Sequence, residues 1–487
     1  MSPKGRGSLK KIPDEIDFYE HQLKGIRHLA RVGSFILADD MGLGKTLQAL
    51  TITAIDFEKY GAKRVLIVTQ ASLKENFADD VEKFTSLTWT ILDGKDKAKR
   101  SKQIDELGDV ELLVVNYEQV VAHVDELNKY KWDVIVYDEA HCIKGHKSKR
   151  TLACFKLVGG RHFLLTGSPV LNQVDDLWAL LHRVAPHEFP NYYHFVNRYA
   201  VWGGYKDKQI VDVKNEQELR DRTSKYILRR EKKDCLDLPD KMHVVVELEM
   251  SPLQRTIYNQ VKHEKLITHD DLDEAFEVKN DMTAALRFRQ VCVSPAAIHM
   301  VEGKQLPDDS PKLDAIVSKI IELRIAGHSC VVFSQFRTVV ELILKRLEKL
   351  GCPYARLDGS VKKEDRRSVI RSWEHATLNG DPMPIVGTYQ VLGTGHNLQC
   401  ASYILKADKL YVPLLDEQAE DRCQRIGQKS QVIIYEFRMK NSYETKIERI
   451  LKQKRGVFGA VIVKDAGTDP WKKLLLAAVQ EDDEDDR

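Results

Sequence analysis

The 487 residues are too many for one hydrophobic core and enough for two sizeable domains. Lys and Arg number 75 against 73 Asp and Glu, so the formal net charge is only +2 and any surface for a polyanion must be a local patch. The 8 cysteines form no CxxC pair, and no apolar run approaches the roughly 18 residues of a membrane span, which argues against a zinc site and a membrane protein. A protein of the cytoplasm or nucleoid, or of the nucleus in a eukaryote, is expected.

Short apolar runs alternate with helical patterns along most of the chain. The runs are continuous, as in parallel strands buried on both faces. The first series is SFILADD (34–40), RVLIVTQ (64–70), ELLVVNYE (111–118), DVIVYDEA (133–140) and HFLLTGSP (162–169), and the second is CVVFSQF (330–336), YARLDGS (354–360), PIVGTYQ (384–390) and QVIIYEF (431–437). Stretches with helical periodicity, 338–350 and 442–454, lie between or after the second set.

This pattern predicts an α/β protein with two tandem lobes, each built on a parallel sheet. The lobes are expected over 14–234 and 235–465. Helical insertions are expected near 172–230 and 250–310, where the strand rhythm is absent. A basic tail (1–13) and a C-terminal segment that ends in an acidic tail (466–487) flank the lobes.

The stretch ILADDMGLGKTLQAL (36–50) predicts a phosphate-binding loop between a strand and a helix. Gly42 and Gly44 let backbone N–H groups approach a phosphate, Lys45 would reach the β and γ phosphates of ATP, and the Thr46 hydroxyl would bind Mg²⁺. The first glycine of the general GxxxxGK[ST] pattern is replaced by Asp39.

A second motif, the acidic sequence DEAH, follows the apolar run at 133–137. At the carboxyl end of that strand, Asp138 is predicted to hold Mg²⁺ through water. Glu139 is predicted to orient and deprotonate the attacking water.

The stretch DRCQRIGQ (421–428) places Arg422 and Arg425 three positions apart, so they are predicted to share a helix face. Guanidinium groups at the γ-phosphate raise the rate of phosphoryl transfer by roughly 10³ to 10⁵. Because the nucleotide is predicted on the first lobe, we expect these arginines to act only when the lobes close over an ATP cleft between them. A salt-bridged surface helix is the alternative.

In this order the motifs resemble those of the Swi/Snf-type ATPases of helicase superfamily two, over about residues 16–460. The resemblance extends to FYEHQLKGIRHL, LLTGSPVLNQVDDLWALL, YILRREKKDCLDLPDK and GTGHNLQCAS, and the ending RIGQ is its most specific part. It implies two RecA-like lobes, Gln22 near the adenine, ATP and Mg²⁺ as cofactors, and double-stranded DNA as partner. The compact size resembles that of a bacterial or phage member.

The resemblance also implies contacts with the DNA backbone, which carry no sequence information. The implied side chains are hydroxyls and amides: Ser72, Asn116, Thr166 and Ser168 in the first lobe, and Ser334, Thr388 and Asn397 in the second. The cluster LRREKKD can add Arg229, Arg230, Lys232 and Lys233 to this surface, or it can form a solvated helix face.

The expected function is ATP-dependent movement along double-stranded DNA by a monomeric motor, with remodelling of DNA or protein–DNA complexes. A protein partner is expected to supply any targeting, because no accessory module is recognised in the chain. A strand-separating helicase and a catalytically inactive DNA-binding scaffold are the alternatives.

Overall fold

The computed structural model describes residues 11–13, 15–167, 174–203, 209–236, 239–269, 276–278, 281–298, 306–393, 396–410, 413–425, 428 and 430–448. These residues divide into two compact units, and the boundary between them in the sequence lies between 237 and 238. The sequence places the boundary between 234 and 235.

The first unit is built around seven strands of one sheet. These are β1 (Phe35–Leu37), β2 (Val65–Thr69), β3 (Trp89–Ile91), β4 (Leu112–Asn116), β5 (Trp132–Tyr137), β6 (Gly159–Leu165) and β9 (Ile227–Leu228). Its helices are α1 (Glu20–Leu29), α2 (Lys45–Tyr60), α3 (Lys74–Phe84), α4 (Lys97–Asp105), α5 (Tyr117–Leu127), α6 (Lys149–Lys156), α7 (Val174–Val184), α8 (Tyr192–Tyr199), α9 (Glu216–Thr223) and α10 (Lys232–Cys235).

All pairings in this sheet are parallel, in the order β3-β4-β2-β5-β6-β1-β9. Successive strand residues point to opposite faces, and both faces are buried. Ile36 and Leu66 belong to one cluster of buried apolar side chains, whereas Phe35 and Val65 belong to another. The two-sided burial explains why the apolar runs are continuous.

The segment 172–230, expected to be helical, also contains β-structure. Besides α7, α8 and α9, it contains the antiparallel pair β7 (Ala200–Gly203) and β8 (Gln209–Val213). Its last strand, β9, extends the main sheet by pairing with β1. The sequence does not indicate these strands because β9 has only two residues and the β7–β8 pair has an irregular register.

The second unit has a six-stranded sheet in the order β10-β17-β16-β13-β15-β14, and all its pairings are parallel. The strands are β10 (Met242–Leu248), β13 (Cys330–Ser334), β14 (Ala355–Leu357), β15 (Ile385–Thr388), β16 (Tyr403–Lys406) and β17 (Ile433–Met439). The helices are α11 (Pro252–Asn259), α12 (Asp281–Val293), α13 (Pro311–Ile325), α14 (Arg337–Lys349), α15 (Lys363–Leu378) and α16 (Pro413–Glu420).

This sheet is also covered on both faces, with Val332 and Val386 in one buried cluster and Val331 and Ile385 in another. The segment 250–310 contains α11, a π-helical turn, α12 and the short antiparallel pair β11 (Leu266–Ile267) and β12 (Phe276–Glu277). These elements contribute to a separate cluster of buried apolar side chains. Each unit is therefore a three-layer α/β domain with an insertion.

Candidate functional site

The loop between β1 and α2 has the backbone of a phosphate cradle. Gly42 and Gly44 have φ angles of 83° and 75°, a left-handed conformation that strongly favours glycine. A Cβ atom on Gly44 would lie 2.3 Å from Nε2 of Gln22. The first turn of α2 therefore follows a loop whose backbone leaves the N–H groups of the helix N-terminus available to a phosphate.

Lys45 is the first residue of α2. Its ammonium group donates to the backbone carbonyls of Asp39 at 2.8 Å and Asp40 at 3.2 Å. The side chain thus lies along the loop, at the place where phosphate oxygens would accept from it. Thr46 follows on the first turn of the helix and is half-buried.

Gln22 on α1 contacts this loop directly. It is buried, and its side-chain amide donates to the carbonyl of Leu43 at 3.3 Å while its Oε1 accepts from the backbone N–H of Tyr19 at 3.1 Å. His21 places Nε2 3.2 Å from the same carbonyl of Leu43. The sequence predicted Gln22 but not His21, although both are anchored to the loop.

Asp138 follows β5 and is fixed by contacts with its neighbours. Its backbone N–H donates to Val68 at 2.8 Å, one carboxylate oxygen accepts from the Thr69 hydroxyl at 2.8 Å, and its carbonyl accepts from the Tyr117 hydroxyl at 2.8 Å. Burial, followed by the negative charge of Glu139, raises the pKa of Asp138. A carboxylate in this environment favours a nearby cation.

Glu139 occupies the left-handed region, with φ 47° and ψ 52°. Such a conformation is costly for a residue with a Cβ atom and persists only where the surroundings impose it. The carboxylate of Glu139 lies 3.2 Å from Nδ1 of His141. The two adjacent carboxylates therefore have different partners, the Thr69 hydroxyl for Asp138 and the His141 ring for Glu139.

Three loops meet at one edge of the sheet because their strands are parallel and in register. Leu37 at the end of β1 pairs with Leu165 of β6, and Tyr137 at the end of β5 pairs with Leu164. The phosphate loop and the DEAH motif thus flank the carboxyl end of β6. Ligands of open parallel sheets bind at this edge.

One ion pair in the first unit was missed by the sequence analysis. Asp39 is fully buried, and its carboxylate accepts two hydrogen bonds from the guanidinium of Arg230, one of them 3.0 Å long. Arg230 also donates to the side chain of Gln48 at 2.8 Å and to the backbone carbonyl of His21. The expectation that Arg230 contacts DNA or lies on a solvated helix face is therefore wrong.

Asp39 replaces the first glycine of the general loop pattern, and this departure was the available signal for a buried partner. The backbone N–H of Lys232 donates to Asp40 at 2.9 Å, so residues near the end of the first unit hold the loop at two adjacent carboxylates.

In the second unit the two arginines do not share a helix face. Helix α16 ends at Glu420. Residues 421–425, called the arginine segment below, form a turn followed by a bend. The backbone N–H of Arg422 donates to the carbonyl of Ala419, three residues earlier, at 3.3 Å, where an α-helix would bond four residues back. Arg422 is buried and donates from Nε to the Gly393 carbonyl at 3.2 Å, whereas Arg425 is half-buried. The pKa of His396 is lowered to about 4, chiefly by burial and further by the positive charges of Arg422 and Arg366.

The hydroxyl and amide side chains predicted to contact DNA differ in exposure. Ser72 and Asn397 are exposed, while Asn116 is half-buried and caps α5 by accepting the N–H of Gln119 at 2.8 Å. Thr166, Ser334 and Thr388 are buried, and the Ser334 hydroxyl donates to Asp408. Ser168 lies outside the described residues. Solvent access thus favours Ser72 and Asn397, and all seven stay predictions.

Within the described ranges, no helix is long and apolar enough to cross a membrane. In the same ranges, no group of three or more His, Cys, Asp or Glu side chains is arranged to hold a metal ion.

Comparison with known proteins shows two family matches. The family described as SNF2-related domain matches residues 21–297, which is more than half of the chain. The chain belongs to the SNF2-related family. The family described as helicase conserved C-terminal domain matches residues 312–427. The chain is thus a Swi/Snf-type member of helicase superfamily two with two RecA-like lobes, as the sequence predicted.

Relatives of the family occur in distant organisms. "Nuclear protein STH1/NPS1" of Saccharomyces cerevisiae is 29% identical over 472 residues, which cover 91% of this chain and 34% of that protein. An "Uncharacterized ATP-dependent helicase" of Mycoplasma pneumoniae is 27% identical over 460 residues, covering 94% of this chain and 43% of that protein. The chain therefore spans less than half the length of these relatives.

Among solved structures, the "Sulfolobus solfataricus SWI2/SNF2 ATPase core in complex with dsDNA" is 26% identical. It covers 93% of each chain with a TM-score of 0.45.

Proposed function

We propose that this protein hydrolyses ATP with Mg²⁺ and uses the energy to move along double-stranded DNA without sequence specificity. The observation that carries the proposal is the phosphate loop, in which two left-handed glycines and Lys45 stand at the same sheet edge as the DEAH motif. Membership of the SNF2-related family supports the same activity.

The first unit offers the groups that such hydrolysis requires. Lys45 and the N-terminus of α2 would hold the phosphates, and Gln22 would lie near the adenine. The Thr46 hydroxyl and the Asp138 carboxylate fit Mg²⁺, because hard oxygen ligands are those that this ion prefers. Mg²⁺ held there would neutralise charge on the β and γ phosphates. Glu139 would orient the attacking water and accept its proton.

Arg422 and Arg425 are proposed to complete the reaction from the second unit. Charge develops on the γ-phosphate oxygens during transfer, and a guanidinium group stabilises it. Because the arginines and the phosphate loop belong to different units, hydrolysis would require the lobes to close. Nucleotide binding and hydrolysis would then control the geometry between lobes, which is the property a motor needs.

DNA as the substrate of movement is supported by the relatives' descriptions, since an Arabidopsis thaliana relative is described as "Probable ATP-dependent DNA helicase CHR12". Ser72 and Asn397 are the two candidate contacts whose side chains are exposed. Contacts of this kind bind the backbone and carry no sequence information. A single-chain motor that a protein partner directs to its target is part of this proposal.

The test is ATP turnover titrated with duplex DNA, single-stranded DNA and RNA, beside Lys45→Ala and Arg425→Ala. We expect stimulation by duplex, a loss of about 10²- to 10³-fold for Lys45→Ala, and about 10³-fold or more for Arg425→Ala. Lys59→Ala, an exposed lysine on the last turn of the same helix, is the matched control and keeps full turnover.

Movement itself is measured by ATP-dependent release of a third strand from a DNA triplex. We expect release without separation of a labelled partial duplex. Strand separation would favour the helicase, and absence of turnover would favour the inactive scaffold. A preference for RNA, or turnover insensitive to Arg425→Ala, contradicts the proposal.

A further inference from the structure

The arginine segment begins directly after Glu420, and this residue is held by two lysines from elsewhere in the second unit. Glu420 is buried. One of its carboxylate oxygens lies 2.6 Å from Nζ of Lys406, and the other lies 2.9 Å from Nζ of Lys241. The carbonyl of Glu420 also accepts the backbone N–H groups of Cys423 at 3.0 Å and Gln424 at 3.2 Å. A fixed Glu420 therefore fixes the turns that follow.

Lys406 is a buried charge on a central strand. Its side chain is 1% exposed at the end of β16, and its ammonium group also contacts Asp416 of α16 at 2.8 Å. Burial alone would lower the pKa of Lys406, but Asp416 and Glu420 outweigh it and raise the pKa. Lys406 therefore stays charged and ties α16 to the sheet at two points.

Lys241 stands just before β10 and reaches the first residue of the arginine segment. Its ammonium group lies 2.9 Å from Asp421 as well as 2.9 Å from Glu420. Two residues earlier, the carbonyl of Pro239 accepts from the side chain of Gln424 at 2.9 Å. Residues 239–241 thus contact the arginine segment at two of its residues, Asp421 and Gln424.

We infer that Lys241 and Lys406 are positioning residues, which set the arginine segment in the conformation that hydrolysis requires. The inference rests on the proposed function, because it assigns the arginines a role in the reaction. Neither lysine lies near the phosphate loop in the sequence or belongs to the same unit. A displacement of a catalytic group by about 1 Å can cost about 10²-fold in rate.

Lys241→Gln tests the inference, because glutamine keeps a hydrogen-bond donor at this position and Lys406 still contacts the Glu420 carboxylate. All rates are measured at a temperature where the variant is folded. With saturating duplex, we expect kcat to fall about 10-fold while KM for ATP changes less than about 2-fold, since the phosphate cradle is intact. Lys241→Arg should restore at least half of kcat. Lys319→Gln, which removes a lysine 22% exposed and paired with Glu322, is the matched control and leaves kcat unchanged. An unchanged kcat in Lys241→Gln overturns the inference.

A double-mutant cycle separates this inference from the proposed function. If Lys241 acts through the arginines, adding Lys241→Gln to a variant that carries both Arg422→Ala and Arg425→Ala causes no further loss in single-turnover hydrolysis. A further loss of the full factor shows a general structural effect and overturns the inference. If Arg425→Ala alone keeps normal turnover, the proposed function fails instead.

Lys406→Met addresses the buried lysine. We expect lower thermal stability together with a fall of kcat similar to that of Lys241→Gln, measured at a temperature where the variant is folded. Lower stability with normal kcat assigns Lys406 a structural role and removes it from the inference.

Discussion

The phosphate loop of the first unit and the arginine segment of the second are held by different means. The loop depends on backbone conformations at Gly42 and Gly44 and on the fully buried carboxylate of Asp39. The arginine segment depends on Lys241 and Lys406, whose side chains reach Glu420 and Asp421 from other elements. Backbone geometry gives a preformed site that needs no reorganisation on binding. Residues 421–425 contain no left-handed residue, so the arginine segment depends on ion pairs and not on such a backbone.

The difference predicts where each unit is vulnerable. In the first unit, damage should come from losing the buried pair or the left-handed turn. In the second, loss of a pair should change the rate of hydrolysis as well as the stability, because the pairs hold the arginine segment.

The largest effect is expected from Arg230→Met. It leaves the buried Asp39 carboxylate without its cation, and breaking a buried pair in this way costs about 3–5 kcal/mol. In chemical unfolding, the transition of the first unit should shift to a lower denaturant concentration, and nucleotide binding should be lost. The neighbouring Arg229→Met is the control, since that side chain is exposed. Equal stability of the two variants would mean that the pair does not hold the loop.

A smaller effect is expected from Gly44→Ala. The new Cβ atom would meet the Gln22 amide, and a left-handed conformation costs an alanine about 1–2 kcal/mol. We expect KM for ATP to rise about 10-fold. Gly33→Ala is the control, because no atom lies within 4 Å of its Cβ position. Unchanged KM in Gly44→Ala would show that the cradle tolerates a different backbone.

The smallest effect concerns one carboxylate of the second unit and depends on pH. Burial alone would raise the pKa of Glu436, but His243, Lys409 and Lys406 outweigh it and hold the pKa far below its usual 4.5. Because the folded pKa is depressed, the charged carboxylate stabilises the fold above about pH 4.5. This contribution is lost as the pH falls below that value. Glu436→Gln should therefore lower the free energy of unfolding by about 1 kcal/mol at pH 7.

The difference between wild type and Glu436→Gln should shrink when unfolding is measured below about pH 4.5. Glu247→Gln, at an exposed position on β10, is the control and should show no difference at any pH. A difference for Glu436→Gln that grows on acidification would reverse the sign assigned to this residue.

Most of the fold could be predicted from the sequence because parallel strands buried on both faces leave continuous apolar runs. Strands without continuous apolar runs are not evident from the sequence. β10 is an edge strand whose residues are exposed or half-buried, and β9 has two residues. The antiparallel pairs in the insertions are short, so their periodicity is too brief to recognise.

The candidate site divides in the same way. The phosphate loop is a local feature, with glycines, lysine and threonine adjacent in the chain, so the sequence alone indicates it. Asp39 and Arg230 are 191 positions apart, and no local pattern connects them. The helix predicted through Arg422 and Arg425 was wrong because contacts from other elements fix Glu420, and the chain turns directly after it.

The pairing of Asp39 with Arg230 also bears on synthesis of the chain. A polypeptide still attached to the ribosome presents β1 and the phosphate loop long before residue 230 is translated, since the two partners are separated by 191 positions. Until then Asp39 lacks its guanidinium partner, and a carboxylate without a partner resists burial. We therefore expect the phosphate loop to reach its final conformation only once the whole first lobe has been translated.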